Sequence, residues 1–225
     1  MGKDGETLRI PIFPLENVVL FPDARQLLHI FEPRYREMTE DALAGDQQIG
    51  MVLLRETDGD DDPDPPPVYG VGCLGRIVSS RRIPDGRFLI LLEGVSRFRI
   101  VQEEPSQKPY RIVTAELLPE PAFDALPLEE QRELQVARQE LESKLMDLTR
   151  AIHPESVQAL LERTQQLDPV QLAHAVAFGL DCSPIEKQGL LEAPGPLERC
   201  RQVVSSLEFR QAEALLPDAA PRTIN

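Results

Sequence analysis

Tryptophan is absent from this 225-residue chain, and aromatic residues together make up 5% of it. Stacking surfaces for bases or sugar rings are therefore scarce. Cysteine occurs three times, at Cys73, Cys182 and Cys200, an odd number with no CxxC pair. Such spacing excludes a disulfide framework and reads as reduced, mostly buried thiols. The histidines His29, His153 and His174 stand in no ligand spacing with them. Grouping Cys182, Cys200 and His174 is the one metal-site alternative, and no metal is expected. Lysine is limited to Lys3, Lys108, Lys144 and Lys187, and GxxxxGK[ST], GxSxG and HExxH do not occur. Nucleotide, acyl-transfer and zinc-hydrolase chemistry thus lack their usual carriers, so the chain is expected to be neither an enzyme nor the holder of a cofactor. No apolar run approaches the roughly 18 residues of a membrane span, Phe88–Leu92 being typical. The opening MGKDGETLRIPIFP lacks the apolar centre of a signal peptide, and Glu6 stands where myristoylation of Gly2 wants Ser or Thr. A cytoplasmic location is expected.

Acid and proline are abundant instead. The net charge is −14, and 21 residues are proline. That charge argues against general nucleic-acid binding and against anionic membranes, which both select Lys and Arg. Glu56–Pro67 (ETDGDDDPDPPP) concentrates six acids and four prolines with nothing to anchor a core, and is expected to be a disordered loop. Asp58, Asp60 and Asp62 mimic the start of a calcium loop, but Pro63 replaces the required Gly and Tyr69 the closing Glu.

The pattern changes character at Pro119–Pro127. Before it, Leu8–Phe13, Gln26–Phe31, Ile49–Leu54, Val71–Ser79, Arg87–Glu93, Val95–Val101 and Tyr110–Leu118 favour strands. Arg87–Glu93 is apolar on both faces and should lie centrally, whereas Val95–Val101 alternates, with Arg97 and Arg99 toward solvent. Pro84-Asp85-Gly86 predicts a hairpin turn, and Gly94 a bend or bulge. One helix is predicted from Pro33 to Gly45, with Gly45 at its C-terminal stop. After the change, Leu134, Ala137, Leu141, Leu145, Leu148 and Ile152 form one stripe on a helix over about 128–151. Asp168-Pro169 and Ser183-Pro184-Ile185-Glu186 mark further helix starts, and a last helix runs over about 197–215. The class is therefore α+β: a curved, barrel-like β lobe over 1–120, containing the acidic loop 56–67, then a helical bundle over 121–216 and a flexible tail over 217–225.

Leu8–Phe21 (LRIPIFPLENVVLF) with Pro22 resembles the "P-L-x-x-V-V-x-F-P" opening of the N-terminal domain of the ATP-dependent Lon protease family. His29–Met38, Tyr69–Gly75 and Pro84–Ile100 (PDGRFLILLEGVSRFRI) resemble later segments of that domain, and Lys187–Glu192 with Glu198-Arg199 resembles its helical end. Together they cover about residues 8–210. The resemblance implies a PUA-like β lobe joined to helices, and a non-catalytic role in substrate recognition without ATPase or peptidase modules. It further implies unfolded or partly folded polypeptides as partners, with a protease or chaperone receiving them.

A binding module needs apolar groups held at a surface groove. Pro14–Pro22 and the corner Phe31–Tyr35 suit this, because prolines stiffen the backbone and lower the ordering cost. Pro14, Phe21, Pro22, Phe31 and Tyr35 are the candidate apolar contacts, and Glu32 and Arg34 the candidate main-chain contacts; filling of the core by Phe21 and Phe31 is the competing assignment. Arg76, Arg81, Arg82, Arg87, Arg97 and Arg99 face only Asp85 and Glu93 between Gly70 and Val101, a local +4. These arginines read first as a solvated face paired with carboxylates, then as a partner for the acidic loop. The alternative function is an RNA-interacting surface, which PUA-like domains often carry, but Phe98 points away from the arginines and leaves bases little to stack on.

Overall fold

The computed structural model describes residues 7–56 and 65–214. They form six strands and six α-helices, and the chain divides into two compact units. The first comprises 1–120 with 177–192, the second 121–176 with 193–225. The expected acidic loop falls mostly on 57–64, and the expected tail on 217–225, outside the described residues.

The first unit is a mixed sheet that closes on itself. Its strands are β1 (Thr7–Leu15), β2 (Arg25–Ile30), β3 (Gln48–Leu53), β4 (Val71–Arg82), β5 (Phe88–Glu104) and β6 (Ile112–Leu118). Their order is β2-β5-β4-β3-β1-β6, and β5 also pairs with β6. Five strands thus make a barrel, and β2 extends it along one half of β5. Strand β1 changes partner midway: Thr7–Pro11 runs antiparallel to β6, and Ile12–Leu15 parallel to β3. Prolines lack the amide donor, and Pro11 sits where that exchange occurs.

Arg87–Glu93 and Val95–Val101 read as two strands in the sequence, yet β5 runs through both. Gly94 is the reason. The register shifts there, with Gly75 opposite Gly94 and Leu74 opposite Ser96, so an extra residue bends the strand. Its first half pairs with β2 and its second with β6. A Cβ on Gly94 would lie 2.0 Å from the Phe21 carbonyl oxygen, so glycine alone allows this close approach. The β4–β5 hairpin turns through Pro84-Asp85-Gly86: the Gly86 amide donates to Ile83 O at 2.9 Å, and Gly86 adopts φ +86°. This is the three-residue turn that the sequence indicates.

Inside the barrel, Ile10, Ile12, Val52, Leu74, Phe98, Val113 and Ala115 pack as one cluster. The Phe98 ring occupies the space where side chains on Gly50 and Gly72 would stand. Burying such a ring contributes about 2–3 kcal/mol. Arg97 is not solvated as its alternation suggests. Only 6% exposed, it pairs with Glu120 at 2.8 Å and donates to Leu191 O at 3.0 Å. Leu191 lies on α5 (Pro184–Glu192), where Gln188 donates to Val71 O at 2.9 Å. These bonds explain why 177–192, assigned to the bundle from sequence, belongs with the β unit.

Helix α1 (Pro33–Ala44) begins at Pro33 as expected. Its exit differs: Gly45 has φ −114°, and the left-handed residue is Gln47 at φ +59°. The Gln47 amide donates to Ala42 O, and its carbonyl accepts from Ile77 on β4. That pair of bonds offsets the steric cost of a non-glycine residue there.

The second unit contains α2 (Leu128–Ile152), α3 (Val157–Thr164), α6 (Pro196–Ala214) and most of α4 (Pro169–Gly179). Leu134, Ala137 and Leu141 of the expected stripe are buried, but Met146 replaces Leu145 as the next buried residue, and Ile152 is exposed. Asp168 caps α4, its Oδ1 accepting from the Val170 and Gln171 amides at 2.8 and 2.9 Å. Ser183 and Glu186 form a reciprocal capping box on α5.

Candidate functional site

The C-terminal ends of the parallel strands β1 and β3 meet the start of β6 at one end of the barrel, beside the N-terminus of α1. A cavity of about 560 Å³ opens there, entirely within the first unit. Pro14 and Leu15 end β1, Glu16, Asn17 and Val18 follow them, and Leu54 follows β3. Glu32, Arg34 and Tyr35 come from the start of α1, Pro65 and Pro66 from the segment before β4, and Pro109, Tyr110 and Arg111 from the approach to β6. Short hydrogen bonds hold these pieces: Leu54 N to Leu15 O, and Ile12 N to Arg111 O, each 2.9 Å.

Tyr35 is the best-fixed aromatic wall. Its ring centroid lies 4.3 Å from that of Phe13, and the Arg34 guanidinium sits 4.5 Å from the ring centre. Burial raises the pKa of its phenol, against the opposing pull of the Arg34 charge, so it is a neutral donor at physiological pH. Tyr110 donates to Asp41 on α1 at 2.6 Å, and Lys108 pairs with Asp41 at 2.6 Å and Glu37 at 3.1 Å. Burial and the Asp41 hydrogen bond push the Tyr110 phenol up to about 12, while Lys108 and Tyr110 hold the Asp41 carboxyl below its ordinary range.

The basic lining residues are internally neutralised. Arg34 pairs with Glu32 at 2.9 Å, and Arg111 grips Glu103 through both Nε and Nη2, at 2.8 and 2.7 Å. Arg111 also donates to Pro66 O at 2.7 Å, fixing that proline as a wall. The Tyr35 hydroxyl and the Asn17 amide engage no partner among the described residues. The lining therefore joins proline and tyrosine surfaces to uncharged hydrogen-bonding groups, with the Glu16 carboxylate as a charge that no partner among the described residues offsets. Such a surface suits neutral, partly apolar guests. Among the described residues no His, Cys, Asp and Glu are grouped to hold a metal.

The sequence-derived candidates divide. Pro14, Glu32, Arg34 and Tyr35 line the cavity. Phe21 is wholly buried and Pro22 buried beside it, in the loop packed against Gly94. Their apolarity fills core rather than groove. Phe31 is 59% exposed but stands outside the cavity, its ring 5.8 Å from that of His29. Pro65, Pro66 and Pro109–Arg111 lie outside the motif segments and join the cavity only through contacts between residues remote in sequence, such as Arg111 with Pro66. The Pro65–Pro67 run and the Lys108–Arg111 turn were their only local signals.

The family model for the ATP-dependent protease La (LON) substrate-binding domain matches residues 9–208. The chain belongs to that family. The Lon protease of Trichlorobacter lovleyi is 34% identical over 215 residues, which cover 93% of this chain and 25% of that protein. Lon protease 1 of Thermus thermophilus is 28% identical over 205 residues, with 91% and 25% covered. The chain thus spans about a quarter of the length of these relatives. The N-terminal domain of the Mycobacterium avium complex Lon protease superposes with a TM-score of 0.70 at 17% identity, covering 89% of this chain and 98% of that one. The Lon N-terminal domain protein from Xanthomonas campestris gives 0.60 at 23%, covering 88% and 98%. These likenesses fit the α+β reading of a β lobe followed by helices. No helix among the described residues is long and apolar enough to cross a membrane.

The arginines of this Lon-type β lobe are largely engaged by carboxylates. Arg76 pairs with Glu93, Arg82 with Glu40, Arg87 with Asp85, and Arg99 with Glu116. A phosphate backbone would have to displace these partners.

Proposed function

We propose that the chain is a non-catalytic, protein-binding module that accepts exposed segments of unfolded or partly folded polypeptides in the cavity between β1, α1 and the approach to β6. The observation that carries this reading is the lining itself: proline and tyrosine walls, basic side chains already neutralised, and two unengaged neutral polar groups, Tyr35 Oη and the Asn17 amide. An extended peptide offers matching chemistry, since its amides are neutral and its side chains add apolar area. Stiff walls keep the ordering cost of binding low. Membership of the Lon substrate-binding family supports the same assignment, and in it the captured segment passes to a protease or chaperone.

Calorimetry with a chemically unfolded model protein and its native form tests the proposal. Binding of the unfolded form alone is expected, weakened about 3- to 10-fold by Tyr35→Phe and by Asn17→Ala, as for loss of one net hydrogen bond. Equal and negligible heats for both forms refute it.

A further inference from the structure

The ladder of β1 leaves one edge open inside the cavity. Successive residues of a strand turn their main-chain polar groups to opposite edges. Leu15 O accepts from Leu54 N at 2.9 Å, so Phe13 and Leu15 serve β3. Ile12 and Pro14 therefore face the β6 side, where Ile12 N donates to Arg111 O at 2.9 Å. The β1–β6 register, with Pro11 opposite Ile112, sets Pro14 opposite Pro109 when carried further. Neither proline has an amide to donate, so the ladder stops there, and both residues line the cavity. Pro14 is buried, and its carbonyl accepts no hydrogen bond among the described residues. Buried main-chain acceptors are satisfied almost without exception, so this edge calls for a donor.

The charge beside that edge is negative. Glu16, two positions past Pro14, is exposed and has no partner among the described residues. The lining arginines do not offset it, since Glu32 holds Arg34 and Glu103 holds Arg111. The chain as a whole carries −14. Such a field draws cationic segments in and repels acidic ones.

We infer, on the protein-binding reading of the cavity, that the bound segment is extended and carries Lys or Arg next to an apolar residue, and that it lies along the open edge of β1. One of its amides donates to Pro14 O, and its basic side chain pairs with Glu16. Residues directly opposite one another on neighbouring strands share a face. The residue beside Leu15 therefore turns to the face of Phe13, where the Tyr35 ring stands 4.3 Å away, and its neighbour turns to the other face, toward Glu16. Apolar and basic side chains thus fall on opposite faces of the segment, as alternation requires.

The test uses the full chain and a fluorescein-labelled peptide of about eight residues alternating Val with Lys, with a twin carrying Glu in place of Lys. Anisotropy should show the Lys peptide binding about 10-fold or more tighter at low salt, the gap narrowing as salt screens it. Glu16→Gln should weaken the Lys peptide about 3- to 10-fold and leave the Glu twin no weaker. Two further versions carry N-methyl groups on alternate amides, one on the Val set and one on the Lys set. One version should lose about 10-fold or more and the other little, because only one edge of the segment faces β1. Absent binding of the Lys peptide, equal affinity for both twins, indifference to Glu16→Gln, or equal effects of the two methylated sets overturns this inference. When the unfolded model protein still binds, the broader reading survives that result; when it does not, both fall.

Discussion

Replacing Gly94 by alanine tests the bend in β5. The new methyl carbon would lie 2.0 Å from Phe21 O and 2.8 Å from Phe21 C, both backbone atoms, and 3.2 Å from Cys73 Sγ. Relief needs a movement of roughly 1 Å, because backbone atoms cannot rotate away as a side-chain tip does. Phe21 is wholly buried, and three hydrogen bonds hold its loop: Asp23 N to Gly94 O at 2.9 Å, Gly94 N to Ala24 O at 2.8 Å, and Ala24 N to Phe21 O at 3.2 Å. Overpacking costs about 1–3 kcal/mol, and weakening these bonds adds about 1 kcal/mol each. A loss of about 3 kcal/mol or more is expected, lowering Tm by roughly 10 °C. The matched control is Gly189→Ala, an exposed position inside α5 where a Cβ meets nothing within 4 Å. Helix propensity predicts a gain of about 0.5–1 kcal/mol there. Urea and thermal denaturation of both variants provide the measurement. Because the Phe21 loop also supplies Asn17 and Val18 to the cavity, Gly94→Ala should weaken peptide binding while Gly189→Ala does not. A Gly94→Ala protein melting within about 2 °C of the parent would refute the reasoning.

Three further outcomes are expected. Glu120→Gln should cost about 3 kcal/mol in urea titration by leaving the Arg97 charge buried without its counterion, whereas Arg97→Met with Glu120→Leu should cost less; a double variant as damaged as the single would contradict this. Hydrogen bonds depress the carboxyls of Asp41 and Glu93, so their stabilisation is complete above the ordinary carboxylate range near pH 4 and falls away below it. Tyr110 works oppositely: its phenol, raised to about 12, makes stability fall as pH climbs past about 10, where the unfolded chain ionises first. Urea midpoints against pH should show both limbs, with Asp41→Asn flattening the acid one. Cys73 and Cys200 are buried, and burial pushes the Cys200 thiol up to about 11. A thiol reagent at neutral pH should therefore modify Cys182 first, and all three only in denaturant; rapid labelling of native Cys200 would contradict its packing.

Local chemistry made parts of this architecture readable from residues alone. Pro84-Asp85-Gly86 could only turn, Asp168 and Ser183 only start helices, and Gly94 only bend or bulge a strand. What stayed hidden is non-local. Nothing near Gly94 says that the chain resumes the same strand beyond it, or that β5 and β6 close the barrel. Arg97 alternates like a surface residue, and only Glu120 and Leu191, each more than twenty positions away, convert it into a buried one. The cavity follows the same division. Pro14 and Tyr35 sit beside stiff, recognisable corners, whereas Pro66 and Arg111 reach the lining through pairing partners remote in sequence. Phe21 and Pro22 misled because a stiff apolar motif serves core and groove equally well, and the close approach to Gly94 settled which.

Helix α5 belongs to the β unit although 121–176 intervene in the chain. During synthesis the lobe therefore cannot complete itself when residue 120 emerges, since Leu191 O, which takes the Arg97 proton donor, and Gln188, which satisfies Val71 O, have yet to be made. The nascent barrel waits, with Arg97 paired to Glu120 but short of its Leu191 acceptor, while α2, α3 and most of α4 are produced. A fragment ending at 120 should consequently behave as an arrested intermediate, and grafting only that fragment onto another protein would transplant an incomplete body.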